Sequence, residues 1–310
     1  MKRSYLVTGG AGFIGSNIVE ELVKRGQRVR VVDSFITGRR ENLAPILNKI
    51  ELIKGDIRDL GLMTEITKGV DYCLHQAAFR SVPKSVEDPT LCTETNVMGT
   101  LNVLMAAHRA KVKRVVYASS SSVYGNVTRF PQKEENFLFP LSPYGASKLA
   151  GEYYCKVYTA TFGLETVSLR YFNVFGPRQN PESKYSAVIP AFIAKMVKGQ
   201  QPMVDGDGKQ SRDFTYVANV VEANLLAAAA KGASGQVINV GCGDSHSVLD
   251  IIGALNELLD KDIRPVFGPP RKGDARKTQA DIRKLKSYLG IAPKVKFKKG
   301  LEKTLEWFRD

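Results

Sequence analysis

The first patterned segment of the chain is Tyr5-Leu6-Val7-Thr8-Gly9-Gly10-Ala11-Gly12-Phe13-Ile14-Gly15, in which an apolar run passes into a glycine-rich turn. An amphipathic stretch follows, so the pattern predicts a strand, a turn and a helix. The turn satisfies G-x-G-x-x-G through Gly10, Gly12 and Gly15, and G-x-x-G-x-x-G when it is read from Gly9. Glycines permit a tight turn and let backbone N–H groups approach a pyrophosphate at the positive end of a helix. An ordinary strand-to-helix turn would also fit this segment alone.

A second predicted strand, residues 28–32, ends in Asp33, close to the distance at which dinucleotide-binding folds carry an acidic residue. A carboxylate there accepts hydrogen bonds from the adenosine ribose hydroxyls of NAD and repels the additional phosphate of NADP. Arg39 and Arg40 lie nearby and leave NADP as the alternative. Together with the glycine turn, Asp33 predicts a dinucleotide-binding domain with NAD as its cofactor.

Predicted strands and helices alternate up to residue 119, which indicates a parallel sheet with helices on both faces. After Asn173 the pattern becomes irregular and the elements become shorter. We therefore expect the α/β class, with a Rossmann-type doubly wound parallel sheet in residues 1–173, joined by parts of 213–241. Residues 174–310 are expected to form a smaller C-terminal α/β lobe that binds the substrate.

Small and polar residues follow the predicted strands, at the edge where open α/β sheets bind ligands. Asp56 could accept the adenine amino group or cap a helix, and Asp59 could also supply that cap. Gln76-Ala77-Ala78 follows another strand, and its small residues would let the backbone approach a cofactor. We interpret His75 as a buried strand residue rather than a ligand, because no second histidine is near.

Hydroxyl and amide side chains mark the next two elements. Asn96 lies within a long predicted helix, residues 89–110, where either a polar role or a solvated face would fit. The predicted strand 113–119 ends in Ser119-Ser120-Ser121-Ser122. These hydroxyls could hold a reacting hydroxyl or only form a polar loop.

Ser142-Pro143-Tyr144-Gly145-Ala146-Ser147-Lys148 opens a predicted helix, residues 143–162, with a tyrosine and a lysine four residues apart. At that spacing both side chains lie on one face of the helix. An ammonium beside a phenol favours the phenolate and lowers the tyrosine pKa, so that the tyrosine can exchange a proton. An exposed i,i+4 pair without chemistry is the alternative.

Composition limits the classes of partner. The 310 residues are 43% hydrophobic, as in ordinary globular proteins, and no apolar run approaches membrane-spanning length. The N-terminus lacks a signal-peptide cleavage pattern, and four separated cysteines fit a reducing cytoplasm and argue against structural zinc, so no metal is expected. The formal charge of +14 fits an anionic small substrate or a solvated basic surface. No nucleic-acid motif accompanies this charge, so we expect neither nucleic acid nor membrane as a partner.

Further motifs complete a set that covers nearly the whole chain: Gly55-Asp56-Ile57-Arg58, Asn96-Val97-Met98-Gly99-Thr100, Leu169-Arg170-Tyr171-Phe172-Asn173, Ser211-Arg212-Asp213-Phe214 and Arg271-Lys272-Gly273-Asp274. With the glycine turn and the tyrosine helix, this set resembles the extended short-chain dehydrogenase/reductases, and within them the UDP-sugar 4-epimerases. The motifs are specific to the family and much less specific to one substrate.

The resemblance implies NAD as the cofactor and roles for individual residues. The implied cofactor-binding residues are Gly9, Gly12, Phe13, Ile14, Gly15, Asp33, Asp56, Ile57, Gln76, Ala77, Ala78, Asn96, Tyr144, Lys148 and Phe172. The implied catalytic residues are Ser120, Tyr144 and Lys148, with Ser121 and Ser122 as neighbours that could share the task of Ser120. The implied substrate-binding residues are Arg80, Ser120, Tyr144, Asn173, Val188, Arg212, Arg271, Asp274 and Thr278.

The reaction implied by the resemblance starts with the Tyr144 phenolate, which removes the proton of the sugar 4-hydroxyl with help from Ser120. Hydride passes from C4 to NAD, the 4-keto sugar turns over while UDP stays anchored, and hydride returns to the opposite face. Thr278 aligns beside the C2 substituent, and its small side chain favours UDP-GlcNAc and UDP-GalNAc as substrates. UDP-glucose and UDP-galactose are the alternative pair.

Other functions fit less well. A nucleotide-sugar 4,6-dehydratase would carry an acid pair where this chain has Ser121 and Ser122. A UDP-uronate epimerase or decarboxylase would use an arginine that we do not identify, and a non-catalytic NAD-binding module would not need Tyr144 and Lys148. The family resemblance also implies a homodimer that pairs the helices around residues 89–110 and 143–162.

Overall fold

Seven parallel strands form the central sheet of the computed structural model, which describes residues 2–180, 188–270 and 276–309. The strands of the chain are β1 Ser4–Thr8, β2 Arg28–Asp33, β3 Glu51–Lys54, β4 Tyr72–His75, β5 Arg114–Ser120, β6 Glu165–Tyr171, β7 Val174–Phe175, β8 Met203–Asp205, β9 Ser211–Arg212, β10 Thr215–Tyr216, β11 Val237–Val240, β12 His246–Ser247 and β13 Val266–Gly268. The sheet order is β11-β6-β5-β4-β1-β2-β3, so successive strands are added on one side of β1 up to β3 and on its other side from β4 onward. The order of the strands therefore reverses between β1 and β4. This reversal is where open α/β sheets bind ligands, and the predicted fold class is confirmed.

Helices cover the sheet and build much of the second lobe. They are α1 Phe13–Lys24, α2 Leu60–Ile66, α3 Val82–Glu87, α4 Pro89–Thr93, α5 Gly99–Arg109, α6 Pro143–Phe162, α7 Val188–Met196, α8 Val217–Ala227, α9 Val248–Leu259, α10 Arg283–Leu289 and α11 Phe297–Arg309. The predicted bounds of α6, residues 143–162, agree with the structure. No helix within the described ranges is long and apolar enough to cross a membrane.

The long helix predicted for residues 89–110 is interrupted. Between α4 and α5 the backbone forms a π-helical turn, Glu94–Met98, in which the carbonyl of Asn96 accepts a hydrogen bond from the Thr100 hydroxyl at 2.6 Å. Turns of this kind are frequent at functional sites, and this one contains a predicted site residue.

Two glycines let α6 lie close against the end of β5. A Cβ on Gly145 would lie 2.8 Å from the Ser122 carbonyl oxygen, and a Cβ on Gly151 would lie 2.2 Å from the Tyr117 hydroxyl. The Ser142 hydroxyl accepts the N–H of Gly145 and caps the helix at 3.1 Å. These contacts fix the position of the tyrosine helix relative to the serine run.

Beyond the central sheet, the described residues form three two-stranded sheets. Strands β7 and β10 pair in parallel, as do β8 and β13, whereas β9 and β12 are antiparallel. Phe175 and Phe214 pack against Phe297 with ring centroids 6.0 and 5.8 Å from it. Strand β11 forms the edge of the main sheet beside β6.

Candidate active site

The glycine turn packs so closely that side chains would not fit. Gly9 has φ +66°, and a Cβ there would lie 2.7 Å from the Ala77 backbone. A Cβ on Gly15 would lie 2.2 Å from the Gly9 carbonyl oxygen. Helix α1 starts after Gly12, and no described side chain caps it. The first N–H groups of α1, at Phe13 and Ile14, therefore lie at the positive end of a helix where a pyrophosphate fits.

Asp33 holds the turn from the end of β2. Its carboxylate is buried and accepts the N–H of Ala11 at 2.9 Å and that of Phe35 at 2.8 Å. Burial raises the pKa of Asp33, while the two backbone N–H groups oppose the rise. Gly38, which the sequence did not single out, covers the carboxylate so closely that a Cβ there would lie 2.6 Å from Oδ1.

Asp56 and Ile57 follow β3. Arg58 donates to Asp56 through Nη2 at 2.8 Å, and its side-chain hydrogen bonds lower the pKa of that carboxyl. Ile57 is buried and lies against Gly99 of α5, where a Cβ would be 2.6 Å from Cδ1 of Ile57. Asp59 caps α2 through the Leu62 N–H, so the helix-cap alternative applies to Asp59 rather than Asp56.

His75, on β4, is neutral and buried, and its ring contacts both β1 and α5. Its Nδ1 lies 2.6 Å from the Thr8 hydroxyl and its Nε2 lies 3.0 Å from the Thr100 hydroxyl. Burial lowers the pKa of His75 to about 3, and the nearby charge of Lys148 acts in the same direction. The interpretation of His75 as a buried strand residue is confirmed.

Gln76 and Ala77 lie at the switch between β4 and β1. The Ala77 N–H donates to the Thr8 hydroxyl at 3.1 Å, and the backbone of Ala77 touches Gly9. Gln76 accepts a hydrogen bond from the Tyr171 hydroxyl at 3.1 Å and donates to the Asn224 side chain at 3.0 Å. Ala78 follows, partly buried. Tyr171 and Asn224 were not predicted as site residues.

Asn96 holds the loop after β4 against the tyrosine helix. Its side chain accepts the Phe79 N–H at 2.7 Å and donates to the Phe79 carbonyl at 3.0 Å and to the Ser147 hydroxyl at 2.9 Å. Asn96 is buried, so the polar role applies and the solvated face does not. Arg80 directly follows Phe79 and lies within electrostatic range of Tyr144.

Tyr144, Ser120 and Lys148 come together where β5 ends. Ser120 lies beside the Tyr144 phenol, and its side-chain hydrogen bonding lowers the pKa of that phenol. The Lys148 ammonium lies 6.0 Å from the Tyr144 ring centroid and donates to the Ala118 carbonyl at 2.8 Å. Ser120 also accepts the Ser122 N–H at 3.1 Å. Of the four serines, Ser120 is thus the one in contact with the phenol.

The pKa of Tyr144 is raised, and the expectation that it is lowered is wrong for this structure. Burial of the phenol outweighs the hydrogen bond with Ser120 and the positive charge of Arg80, both of which lower the pKa. Burial lowers the pKa of Lys148 to about 8. The sequence pattern indicated a cation on the same helix face, but it could not show how strongly the fold removes that face from water.

The predicted substrate residues Asn173 and Thr278 also meet. The Asn173 side chain donates to the Thr278 hydroxyl at 3.0 Å, and the same hydroxyl accepts the Asp213 N–H at 3.2 Å. Asn173 has φ +31°, a left-handed conformation that asparagine tolerates better than most residues. Arg212 lies on β9, where its Nη1 donates to the Ser211 carbonyl at 2.9 Å.

Asp213, which was not predicted as a site residue, is fully buried beneath these residues. It accepts the N–H groups of Cys242 at 2.7 Å, Gly243 at 2.9 Å and Ala280 at 3.0 Å. Burial raises the pKa of Asp213 to about 6 against these three donors. The signal that could have found it is its place between Arg212 and Phe214 in a recognised motif.

Comparison with known proteins identifies the family. The family model described as "NAD dependent epimerase/dehydratase family" matches residues 5–241. The chain belongs to this family. The UDP-glucose 4-epimerase of Mycolicibacterium smegmatis is 38% identical over 98% of both chains, and the UDP-N-acetyl-alpha-D-glucosaminuronate decarboxylase of Bacillus cytotoxicus is 36% identical over 100% of this chain and 99% of that protein.

Solved structures of family members agree with the whole fold. The UDP-N-acetylglucosamine 4-epimerase of Methanobrevibacter ruminantium M1, in complex with UDP-N-acetylmuramic acid, is 39% identical with a TM-score of 0.95, covering 100% of this chain and 99% of that one. The UDP-glucose 4-epimerase of Thermus thermophilus, in complex with NAD, is 38% identical with a TM-score of 0.89 and covers 99% of both chains. The chain is an NAD-dependent enzyme of the extended short-chain dehydrogenase/reductases.

NAD fits the residues of this family member. The glycine turn packs too closely for any side chain at Gly9 or Gly15, α1 offers its N-terminal N–H groups, and Asp33 lies at the end of β2. Within the described ranges, no group of three His, Cys, Asp or Glu side chains could hold a metal ion.

Of the four remaining predicted positions, two are described by the structure and two are not. Phe172 is fully buried, with its ring 6.0 Å from that of Tyr124. Val188 is the first residue of α7. Arg271 and Asp274 lie outside the described residues.

Proposed function

We propose that this family member interconverts UDP-GlcNAc and UDP-GalNAc by inverting C4 through a 4-keto intermediate. The observation that carries the proposal is the contact between the Tyr144 phenol and Ser120, with Lys148 on the same helix face. This group lies at the sheet edge that also carries the glycine turn. A proton acceptor beside the nicotinamide is what oxidation of a carbinol requires.

The protein residues handle the proton. The Tyr144 phenolate takes the proton from the sugar 4-hydroxyl, and Ser120 orients that hydroxyl by hydrogen bonding. Because burial raises the pKa of Tyr144, positive charge is needed to favour the phenolate: Arg80 lowers this pKa, and we assign the same task to Lys148, whose ammonium lies 6.0 Å from the ring centroid. NAD, held by the glycine turn and Asp33, would supply the hydride acceptor for C4 and the hydride donor for the opposite face of the sugar. The same phenol then gives the proton back.

The substrate lobe anchors the nucleotide. We assign Arg212 and Asn173, together with Arg80 and Val188, to the UDP diphosphate and the sugar; Asn173 donates to the Thr278 hydroxyl, and Arg212 lies on β9. An anchored diphosphate supplies binding energy away from the reacting carbon, so the keto sugar can turn without leaving. Arg271 and Asp274 are assigned to the same task by family resemblance alone.

Thr278 supports the choice of an N-acetylated sugar. Its small side chain is held by Asn173 and by the Asp213 N–H, and a small residue leaves room for an N-acetyl group at C2. The UDP-N-acetylglucosamine 4-epimerase structure agrees with the chain over its whole length. A small residue permits a bulky group without requiring one, and relatives named UDP-glucose 4-epimerase are equally similar. Interconversion of UDP-glucose and UDP-galactose is therefore the second candidate.

A homodimer is part of the proposal. Tyr153, Val157 and Phe162 are exposed on the outer face of α6, and Met98 is exposed before α5. Exposed apolar groups of this size on two adjacent helices fit a helical interface with a second copy. Sedimentation of the native protein and of a Tyr153→Glu, Val157→Glu variant tests this: we expect a dimer that the variant dissociates, and a monomeric native protein contradicts it.

The free, buried cysteines further support a cytoplasmic location.

Incubation of the purified protein with UDP-GlcNAc, UDP-GalNAc, UDP-glucose and UDP-galactose separately tests the reaction. We expect each N-acetylated sugar to yield its C4 epimer, with bound NAD identified after denaturation. Conversion of only the non-acetylated pair would select the second candidate. Release of CO₂ from a UDP-uronate, or formation of a 4-keto-6-deoxy sugar, would replace the proposal by the reactions of the decarboxylase and dehydratase relatives.

A further inference from the structure

A buried ion pair lies behind the catalytic face of α6. The side chains of Glu152 and Arg170 are 3% and 2% exposed. Arg170 donates through Nε and Nη2 to the two carboxylate oxygens at 2.9 and 2.8 Å. Removing two charges from water costs free energy, and apolar pairs of similar volume are often at least as stable. Stability is therefore a weak reason for this pair, and its contacts indicate another role.

Glu152 continues the row of side chains formed by Tyr144 and Lys148. The three residues are spaced by four, so they lie one above another on the same face of α6. Each of them contacts one of three consecutive residues, 118–120, at the end of β5. Helix α6 and strand β5 are thus joined by three successive contacts, and Glu152 forms one of them.

The middle contact joins Glu152 to Ser119. Ser119 donates its hydroxyl to Glu152 Oε1 at 2.5 Å, and on one side of it Lys148 holds the Ala118 carbonyl at 2.8 Å. On the other side is Ser120, whose side chain bonds to the phenol. Because Ser119 and Ser120 share a peptide bond, the position of the Ser119 side chain limits where the Ser120 hydroxyl can lie.

Arg170 extends the same network into the neighbouring strand and loop. It lies on β6 directly opposite Ser119 in the parallel register. Its Nη1 donates to the Glu134 carbonyl at 3.2 Å, in the loop that leads to α6, and its guanidinium lies 4.8 Å from the Tyr124 ring centroid. The ion pair therefore connects β5, β6, α6 and that loop.

We propose that Glu152 is a positioning residue that holds Ser119, and through it the Ser120 hydroxyl, against the Tyr144 phenol. The inference rests on the proposed function of Ser120 and Tyr144. It adds a residue that touches neither substrate nor cofactor and acts through its neighbours.

The Glu152 carboxylate also acts on Lys148. Burial lowers the pKa of Lys148 to about 8, and the negative charge of Glu152 opposes that shift. Arg170 partly balances this charge from β6. The other titratable groups near Lys148 are His75, Cys92, Tyr117, Tyr144 and Cys155.

Two variants separate positioning from charge. Ser119→Ala removes the contact to Glu152 and keeps every charge, whereas Glu152→Gln removes the charge and keeps a hydrogen-bond acceptor. Ser168→Ala is the matched control, since Ser168 is a buried serine on the neighbouring strand β6. For each protein, kcat and KM are measured from pH 6 to 10 with the epimerised UDP-sugar, alongside the melting temperature.

We expect Ser119→Ala to lower kcat about 10-fold with KM within about threefold and an unchanged pH profile. Glu152→Gln is expected to lower kcat and move the alkaline limb of the kcat profile to lower pH by about 0.5 to 1 unit, because Lys148 loses its proton more easily. Ser168→Ala keeps the native kcat and profile. If Glu152→Gln does not fold, the double variant Glu152→Gln, Arg170→Gln replaces it, with a smaller shift expected in the same direction.

Variants that melt at lower temperature but keep the native kcat and pH profile would show a purely structural ion pair and overturn the inference, while leaving the proposed function intact. A native enzyme that converts none of the UDP-sugars would overturn the proposed function itself, and the role of Glu152 with it.

Discussion

The region around the glycine turn, called here the cofactor half, and the region around Asp213, which we propose as the substrate lobe, hold their residues in different ways. In the cofactor half, the ends of parallel strands and the close approach of glycine backbones set the positions, as where Gly9 meets Ala77. In the substrate lobe the paired strands are short, and the buried carboxylate of Asp213 joins three backbone N–H groups from distant parts of the chain. Local sequence thus specifies one half, and long-range hydrogen bonds specify the other.

The strongest test of this contrast is at Gly15. We expect Gly15→Ala to lower stability by about 3 kcal/mol or more and NAD affinity at least about 100-fold, because the new Cβ would meet the Gly9 carbonyl oxygen at 2.2 Å. Gly253→Ala in α9 is the control, since no described heavy atom lies within 4 Å of its Cβ, and alanine favours helix. Chemical denaturation and NAD titration measure both; equal behaviour of the two variants would contradict the steric account.

Asp213→Asn is the corresponding change in the substrate lobe. An amide has one acceptor oxygen for three N–H donors, so we expect a loss of about 2–4 kcal/mol at pH 7.5 and a higher KM for the UDP-sugar. NAD affinity is expected to stay within about threefold, since the cofactor half is held separately. Loss of NAD binding equal to that of Gly15→Ala would break the division between the halves.

The pH dependence of stability gives a second view of Asp213. Its pKa in the folded protein, about 6, lies above the ordinary value of 3.8, so the folded state binds this proton more tightly. The part of the stability that comes from this tighter proton binding is greatest below about pH 4 and is lost as the pH rises through 6. Denaturation of the native protein and of Asp213→Asn between pH 4 and 7 measures this, and identical slopes would contradict it.

In the cofactor half, Lys148 gives the pH dependence of stability the opposite sign. Its folded pKa, about 8, lies below 10.5, so the ammonium destabilises the fold at neutral pH and this cost disappears as the pH rises above 8. We expect Lys148→Met to raise the melting temperature by about 3–5 °C at pH 7 while turnover falls. Calorimetry at pH 7 and pH 10 tests this; a variant that melts lower at both pH values would show that the charge does not destabilise the fold.

The smallest expected effect concerns Thr278. A Thr278→Tyr variant is expected to lower turnover of UDP-GlcNAc about 10-fold relative to UDP-glucose, because the larger side chain fills the space assigned to the N-acetyl group. Thr278→Ser keeps the hydroxyl that holds Asn173 and serves as the control. Parallel losses for both sugars would show that Thr278 does not select the substrate.

The sequence predicted the cofactor half closely, because its signals are local. Apolar runs, glycine spacing and the proline at the start of a helix indicated β2 and α6 without knowledge of distant contacts. The π-helical turn at Asn96 was missed, since it depends on hydrogen bonds to Phe79 and Ser147 that lie far away in the chain.

The substrate lobe and the electrostatics of the site were harder to predict. Nothing local to Asp213 shows that three N–H groups from residues 242–280 converge on it. The expected direction of the Tyr144 pKa was wrong because it was inferred from spacing along a helix, whereas burial is set by the whole fold.

Turnover by a Tyr144→Phe variant is the most direct test of the account, because the change removes one oxygen atom from the phenol that meets Ser120. With the UDP-sugar that the native enzyme epimerises, we predict a loss of kcat of at least about 100-fold, while NAD and UDP-sugar still bind. Turnover within about threefold of the native enzyme would show that Tyr144 does not move the proton, and would contradict the proposed chemistry.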